Sequence, residues 1–426
     1  MKSRLAIGFM LLALLAAPYR VLAEETKPSE NLPKLVEAAL AYNPEVKASE
    51  ARWEMFRNRA AQAGALEDPM LMLKMQSYLI RDPFNSRRDP MSQRVIGISQ
   101  QLPFWGKRDL KAEVASREAD ALRWQIEERK LELARMVKET YYQIFMTDKE
   151  SEIIEKNIRI MDDFITLAET KYSVGQGAQQ DVFKAQAERS KMFSMKITLE
   201  QRRRTLQATL NTLLYRPAET PVGKISDFEL KPFSWSPEQL RAMAGENRPV
   251  LKSQRALIEK GEAGHRLAEK EFFPDVNLSL EYMQRDPISE MERGYDMYSA
   301  GITFNLPVQR ERRHAMVRES TAEIAMATAE LNALQNSINL GIADNLAQLE
   351  QREKIAKLYR TGIIPQAEQS LESATIGYRV NKVDLLTLLD NRLTLFNLER
   401  DYYESLAEYQ MRLAQLEALV GKDLQE

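Results

Sequence analysis

The chain has 426 residues, with 60 basic and 62 acidic side chains for a net charge of −2, two histidines and no cysteine. That balance supplies no field to collect nucleic acid. The missing cysteine excludes disulfide staples, an N-terminal lipid-bearing cysteine and thiolate metal sites.

In chain order, Lys2 and Arg4 precede an apolar run from Leu5 to Ala17, and Val21 and Ala23 suit a cut before Glu24. Residues 1–23 therefore read as a secretory signal peptide. Behind it no window reaches the roughly 20 apolar residues of a spanning helix, so entry into a membrane falls to β-strands. The mature chain is rich in Ala, Leu, Glu, Gln, Arg and Lys, the residues of long helices.

The remainder reads as a duplication. Asn43-Pro-Glu-Val46 is echoed by Asn247-Arg-Pro-Val250, Gly97 and Pro103 by Gly301 and Pro307, and Lys171-Tyr-Ser-Val-Gly175 by Gly377-Tyr-Arg-Val-Asn381. The halves are residues 24–216 and 238–426. The linker 217–237 between them carries Pro217, Pro221, Pro232 and Pro237 as breakers. Alternation of apolar and polar residues predicts strands at about 70–79 and 94–102, then at about 275–283 and 298–306. In the second pair, Val276, Leu278, Leu280 and Tyr282, and likewise Tyr298, Ala300, Ile302, Phe304 and Leu306, mark a greasy face opposite a polar one. The first pair is less regular, with Lys74 and Gln76 on the Met70 side.

From Gly106 to Tyr172 there is no proline, and a continuous helix there would reach roughly 100 Å. Ile154, Ile158, Met161, Ile165, Ala168 and Tyr172 step by four and three, a coiled-coil seam, and Leu386, Leu389, Leu393 and Phe396 do the same. Gly175 and Asn381 are placed to end their helices in the left-handed conformation, and Gly362-Ile-Ile-Pro365 should kink the second long helix. Four strands cannot close a barrel, which needs about eight, and lipid does not tolerate open sheet edges. Symmetric association removes the edges, and three copies would give twelve strands.

Two stretches, Leu102-Pro-Phe-Trp-Gly-Lys-Arg108 and Leu306-Pro-Val-Gln-Arg-Glu-Arg-Arg313, end a strand with proline and open a helix with bases. Bases oppose the dipole at a helix N-terminus, so local helix stability does not explain them. A membrane-interface collar does: Phe104, Trp105 and Phe304 as aromatic girdle, and Lys107, Arg108, Arg310, Arg312 and Arg313 toward anionic headgroups or simply toward solvent.

No chemistry of catalysis emerges. There is no Gly-rich phosphate loop or metal-ligand spacing, and the carboxylates lie on solvated helix faces. The expectation is no enzyme, no catalytic residue, no cofactor and no bound metal. Met70, Met72 and Met75 suit soft Cu(I), but methionine more often fills irregular apolar surface. His265 and His314 stand alone.

The paired Asn43-Pro-Glu-Val46, the junctions at Leu102-Pro103 and Leu306-Pro307, Tyr172-Ser-Val-Gly175 with Asp181-Val182, Gly377-Tyr-Arg-Val380 with Leu388-Leu-Asp390, and the tail to Leu419-Val-Gly421 resemble the TolC family of outer-membrane efflux channels over residues 31 to 422. The resemblance implies a mainly α chain with a small β part, assembled as a homotrimer. Long coiled-coil helices would form a periplasmic α-barrel, and four strands per chain would complete a 12-stranded β-barrel in outer-membrane lipid. It implies a passive conduit that docks on a periplasmic adaptor protein and an inner-membrane RND-type pump. Asp68-Pro-Met-Leu-Met72 and Gln101 to Arg108 resemble the branch serving heavy-metal pumps; a drug pump or type I secretion system is the alternative, and a periplasmic coiled-coil scaffold a third reading.

The resemblance also implies a gate at the periplasmic tip. Asp181 and Tyr378 match two members of an inter-helix lock, but its arginine falls on Val383, with Lys382 adjacent. Asp390 matches one acidic ring of the tip, whereas the other ring falls on Thr387. Asp384, one turn earlier, either restores that charge or favours the start of its helix.

Overall fold

The computed structural model describes residues 31–291 and 293–424; the signal-peptide reading of 1–23 lies outside them. One order of elements occurs twice. In the first half it is α1 (Leu32–Tyr42), α2 (Pro44–Ala63), β1 (Met70–Gln76), β2 (Gln93–Leu102), α3 (Lys107–Ser173) and α4 (Gln179–Leu213). In the second it is α5 (Pro237–Asn247), α6 (Pro249–Lys270), β3 (Val276–Gln284), β4 (Met297–Phe304), α7 (Arg310–Leu358), a π-turn (Tyr359–Ile363), α8 (Ile364–Arg379) and α9 (Leu385–Val420).

Prolines and caps set the helix starts. Pro44, Pro237 and Pro249 each occupy a first-turn position, where the missing N–H costs nothing. Ser236 and Gln239 close a reciprocal capping box on α5. Asn43 caps α2 by accepting from the Glu45 amide at 2.9 Å. Its counterpart in the repeat does not do this for α6. There Glu128, from α3, accepts the Val250 amide at 3.2 Å and the Arg248 guanidinium at 2.6 Å.

The strands form one antiparallel sheet in the order β1-β2-β3-β4. Leu71 lies opposite Ile98, Ile98 opposite Leu280, and Leu280 opposite Ala300, so one face is apolar across all four strands. Met70 and Met72 fall on the other face, opposite Ser99 and Gly97. Lys74 and Gln76 therefore point to the same polar side as Ser279, Glu281, Ser299 and Thr303, which resolves the irregularity of the first strand pair. A Cβ on Gly97 would sit 3.1 Å from both Met72 Cε and Glu281 Cγ; glycine lets those two side chains close over the strand. Among the described residues nothing covers the apolar face, and Leu73 is 73% exposed. β1 and β4 are open edges.

At about 1.5 Å per residue the 67 residues of α3 span roughly 100 Å. Its seam buries Ile154, Ile158, Met161 and Ala168 against Val182, Ala185, Tyr378, Leu388 and Leu389. Tyr172 is exposed, and so is Leu386, because Leu385 and Leu388 take the inward positions of α9. Halfway along, the irregular 217–236 segment straps the bundle. Asp227 pairs with Lys149 at 2.5 Å, Phe228 packs 4.6 Å from Phe145, and the Lys231 carbonyl accepts the Tyr409 hydroxyl at 2.8 Å. Among the described residues, no helix is long and apolar enough to cross a membrane.

Candidate functional site

Two places gather the residues singled out in the sequence: the collar, where strands become helices, and the tip, where the long helices turn.

At the collar, Lys107 does not face headgroups. It is 1% exposed, and its ammonium donates to Asp275 Oδ1 at 2.9 Å, the Phe273 carbonyl at 3.0 Å and Glu271 Oε2 at 3.3 Å. Asp275 also accepts the Phe104 amide at 2.8 Å and the Asn305 side chain at 3.3 Å. Burial pushes the Asp275 carboxyl up, but the Phe104 amide, Lys107 and Asn305 outweigh it and hold it below the usual carboxylate range. Phe104 stacks on Phe273 at 4.5 Å. Arg108 is likewise turned inward, donating twice to the Gly64 carbonyl at 3.0 and 2.8 Å, and Arg313 donates to the Glu271 carbonyl at 2.5 Å. The outward reading is thus corrected for Lys107, Arg108 and Arg313. Those bases clasp β2, β3 and the helices around them, because the backbone at a strand-to-helix junction leaves carbonyls and carboxylates that need donors. Trp105 (90% exposed), Phe304, Arg310 and Arg312 do project outward.

At the tip the two turns are built alike. Gly175 (φ 70°) and Asn381 (φ 61°) are left-handed. The Gln176 amide closes on the Lys171 carbonyl at 2.8 Å, and the Lys382 amide on the Gly377 carbonyl at 2.8 Å, the Schellman pattern that ends a helix. Asp181, in the first turn of α4, lies near enough to Tyr378 for its charge to act on it. Tyr378 is 4% exposed, and its hydroxyl has no partner among the described residues. Burial first, then Asp181, pushes that phenol up. The base here is Lys171, which sequence reasoning missed. It is 7% exposed, lies 4.3 Å over the Tyr378 ring, and donates to the Tyr378 carbonyl and the Asn381 side chain. The seam gave no signal for it, since the step of four from Ala168 falls on Tyr172 and the oxygens that hold Lys171 come from the opposite half. Lys382 is exposed and makes no ion pair among the described residues.

Asp384 caps α9, accepting the Thr387 amide at 2.8 Å. The Thr387 hydrogen bonds, with Lys184 nearby, hold its carboxyl below the usual range. Thr387 and Asp390 are exposed farther along the same helix. Among the described residues, no three His, Cys, Asp or Glu gather to hold a metal.

The chain has relatives of known family and fold. The family model described as outer membrane efflux protein matches residues 35–214 and again 240–422. The cobalt-zinc-cadmium resistance protein CzcC of Cupriavidus metallidurans is 22% identical over 399 residues, covering 92% of this chain and 90% of its own length. The outer membrane efflux protein BepC of Brucella suis is 24% identical over 260 residues, 59% of this chain but only 54% of that relative. The crystal structure of the outer membrane protein VceC of Vibrio cholerae superimposes with a TM-score of 0.77 at 18% identity, covering 92% of this chain and 97% of that one.

Proposed function

The chain belongs to the outer membrane efflux protein family, and on that premise we propose that three copies form the passive exit duct of a heavy-metal efflux system. It is a channel protein of the outer membrane with a large periplasmic portion, and not an enzyme. The trimer rests on one observation: a four-stranded sheet with an uncovered apolar face and two open edges, continuous with helices of roughly 100 Å. Lipid covers such a face, but only closure removes the edges. Three copies make a twelve-stranded barrel with the polar strand face inside and the helices as its periplasmic extension.

In this reading, residues 1–23 direct export, the halves 24–216 and 238–426 each supply two strands, and residues 217–237 join them. The duct supplies no energy; an adaptor docked at the tip and an RND-type pump in the inner membrane do. The tip is the gate. Asp390 from three copies forms a ring that repels itself and attracts cations, and Lys171, bonded to the Tyr378 carbonyl and the Asn381 side chain, holds the turns together, with Asp181 near Tyr378. Lys382 remains free to reach an acid on a neighbouring copy. Outward-facing Trp105 and Phe304 mark the membrane interface. The metal cargo is supported by the similarity to CzcC along nearly its whole length.

Deletion of the gene should raise sensitivity to cobalt, zinc, cadmium or copper more than to drugs. Drug sensitivity alone would assign the duct to a drug pump. In planar bilayers Asp390→Ala should lower cation selectivity; unchanged selectivity would remove Asp390 from the gate.

A further inference from the structure

Among the described residues, three exposed charges at the collar make no ion pair and have counterparts in the repeat. Arg310 and Arg312, at the start of α7, are exposed, and so is Asp68, two residues ahead of β1. The duplication tells what they match. Met70 lies opposite Ser99, and Asn277 lies opposite Thr303. Ser99 and Thr303 are counterparts, each two residues past the repeated glycine Gly97 or Gly301. Met70 and Asn277 are then counterparts too, which puts Asp68 in the place of Asp275. Asp275 is the acid that takes Lys107 across the seam between β2 and β3.

That seam joins the second strand of one half to the first strand of the other. The next seam of the same kind needs β4 and a β1, but the sheet of one chain ends at both of these strands. Closure of the twelve-stranded barrel brings β4 against β1 of a neighbouring copy; we propose that this seam takes the register of the β2–β3 seam, and that Asp68 of the partner subunit takes the Arg310 and Arg312 bases as Asp275 takes Lys107. This deepens the trimer reading and rests on it.

The register follows from the pairs within the chain. Gln100 faces Leu278, Ser99 faces Ser279 and Ile98 faces Leu280. Transposed, Phe304 faces the partner subunit's Leu71, Thr303 the partner subunit's Met72 and Ile302 the partner subunit's Leu73. The faces agree, since Phe304, Ile302, Leu71 and Leu73 belong to the apolar side, and Thr303 and Met72 to the polar side. A slip of one residue mixes the faces. A slip of two keeps them but carries Asp68 about 7 Å away from the bases. The positional counterpart of Lys107 is Glu311, which pairs with Arg318 at 2.6 Å; the cation comes instead from the residues on either side of it.

A cysteine-free chain makes the test clean. In outer membranes, Phe304→Cys/Leu71→Cys and Thr303→Cys/Met72→Cys are built as double variants of the full chain and oxidised. At least one should give covalent multimers, because adjacent antiparallel pairs alternate between wide and close spacing and the close one suits a disulfide. The slipped pairs Phe304→Cys/Leu73→Cys and Thr303→Cys/Met70→Cys, at about 7–8 Å, should not cross-link. Independently of any cross-link, Asp68→Arg should lower the temperature at which multimers dissociate, and adding Arg310→Asp and Arg312→Asp should restore it. If the native particle still holds three copies but only slipped pairs cross-link, or none do, the register is overturned. If the charge swap fails to restore the multimers, the ion pair is overturned. A native particle of one copy overturns the trimer reading itself.

Discussion

In the first half a single helix, α3, runs from collar to tip, whereas in the second the same path is split into α7, the π-turn and α8. Pro365 has no N–H to give and Gly362 adds freedom, so the ladder shifts at Tyr359–Ile363, where the Ile364 amide bonds the Tyr359 carbonyl. The collar differs in the same sense. Lys107 of the first half is buried among three oxygens, while Arg310 and Arg312 of the second stay exposed. Identical topology therefore carries two mechanical roles. The first half is a continuous strut whose collar lysine is buried, and the second carries a π-turn in its long helix and two exposed collar arginines beside the inward Arg313.

The contrast breaks most visibly at Lys107. Lys107→Ala leaves the Asp275 and Glu271 carboxylates facing one another without their cation, and should cost about 3 kcal/mol in urea unfolding. Arg312→Ala should change the stability of a single chain by less than about 0.5 kcal/mol; equal losses would mean the two collars are fastened alike. The next effect belongs to Lys171, the tie between the turns of the two halves. Lys171→Ala removes the buried ammonium that the Tyr378 carbonyl and the Asn381 side chain share, should destabilise by about 2 kcal/mol, and should raise single-channel conductance in planar bilayers. Lys382→Ala, at an exposed side chain with no ion pair among the described residues, should change the stability of a single chain by less than about 0.5 kcal/mol. Gly175→Ala should cost about 1 kcal/mol, the penalty of a Cβ in the left-handed region. Gly175→Asn should cost less, since the second half already uses Asn381 there.

The smallest effect concerns acid. The Asp384 carboxyl is held below its usual range, so its contribution is complete above the unfolded carboxylate range and is lost only as pH falls through the lowered folded value. Hydrogen exchange of the first-turn amides of α9 should therefore reflect the same protection at pH 7 and pH 5. In Asp384→Asn, which keeps a cap without the charge, protection should be insensitive to acid throughout. Fraying of wild-type α9 already at pH 5 would contradict the cap.

Much of the fold was legible because period and punctuation are local. Alternation exposed the strands, the proline-free stretch the long helix, and Gly175 with Asn381 the turns. β1 was expected to run to about Leu79 but ends at Gln76, since Ser77 adopts a φ of 60° that breaks the strand. At the collar the positions were legible and the directions were not. Lys107 reads as a solvated or headgroup base until Asp275, 168 residues away, is seen beneath it. Lys171 was hidden for the same reason, because its oxygens come from the opposite half. A sequence displays charge; what a charge faces is decided by long-range packing.

The central claim is that one chain cannot close its barrel and three can. Its most direct test is the mass of the native particle extracted from outer membranes in mild detergent. Three copies per particle are predicted; a stable one-copy particle in the membrane would contradict the account.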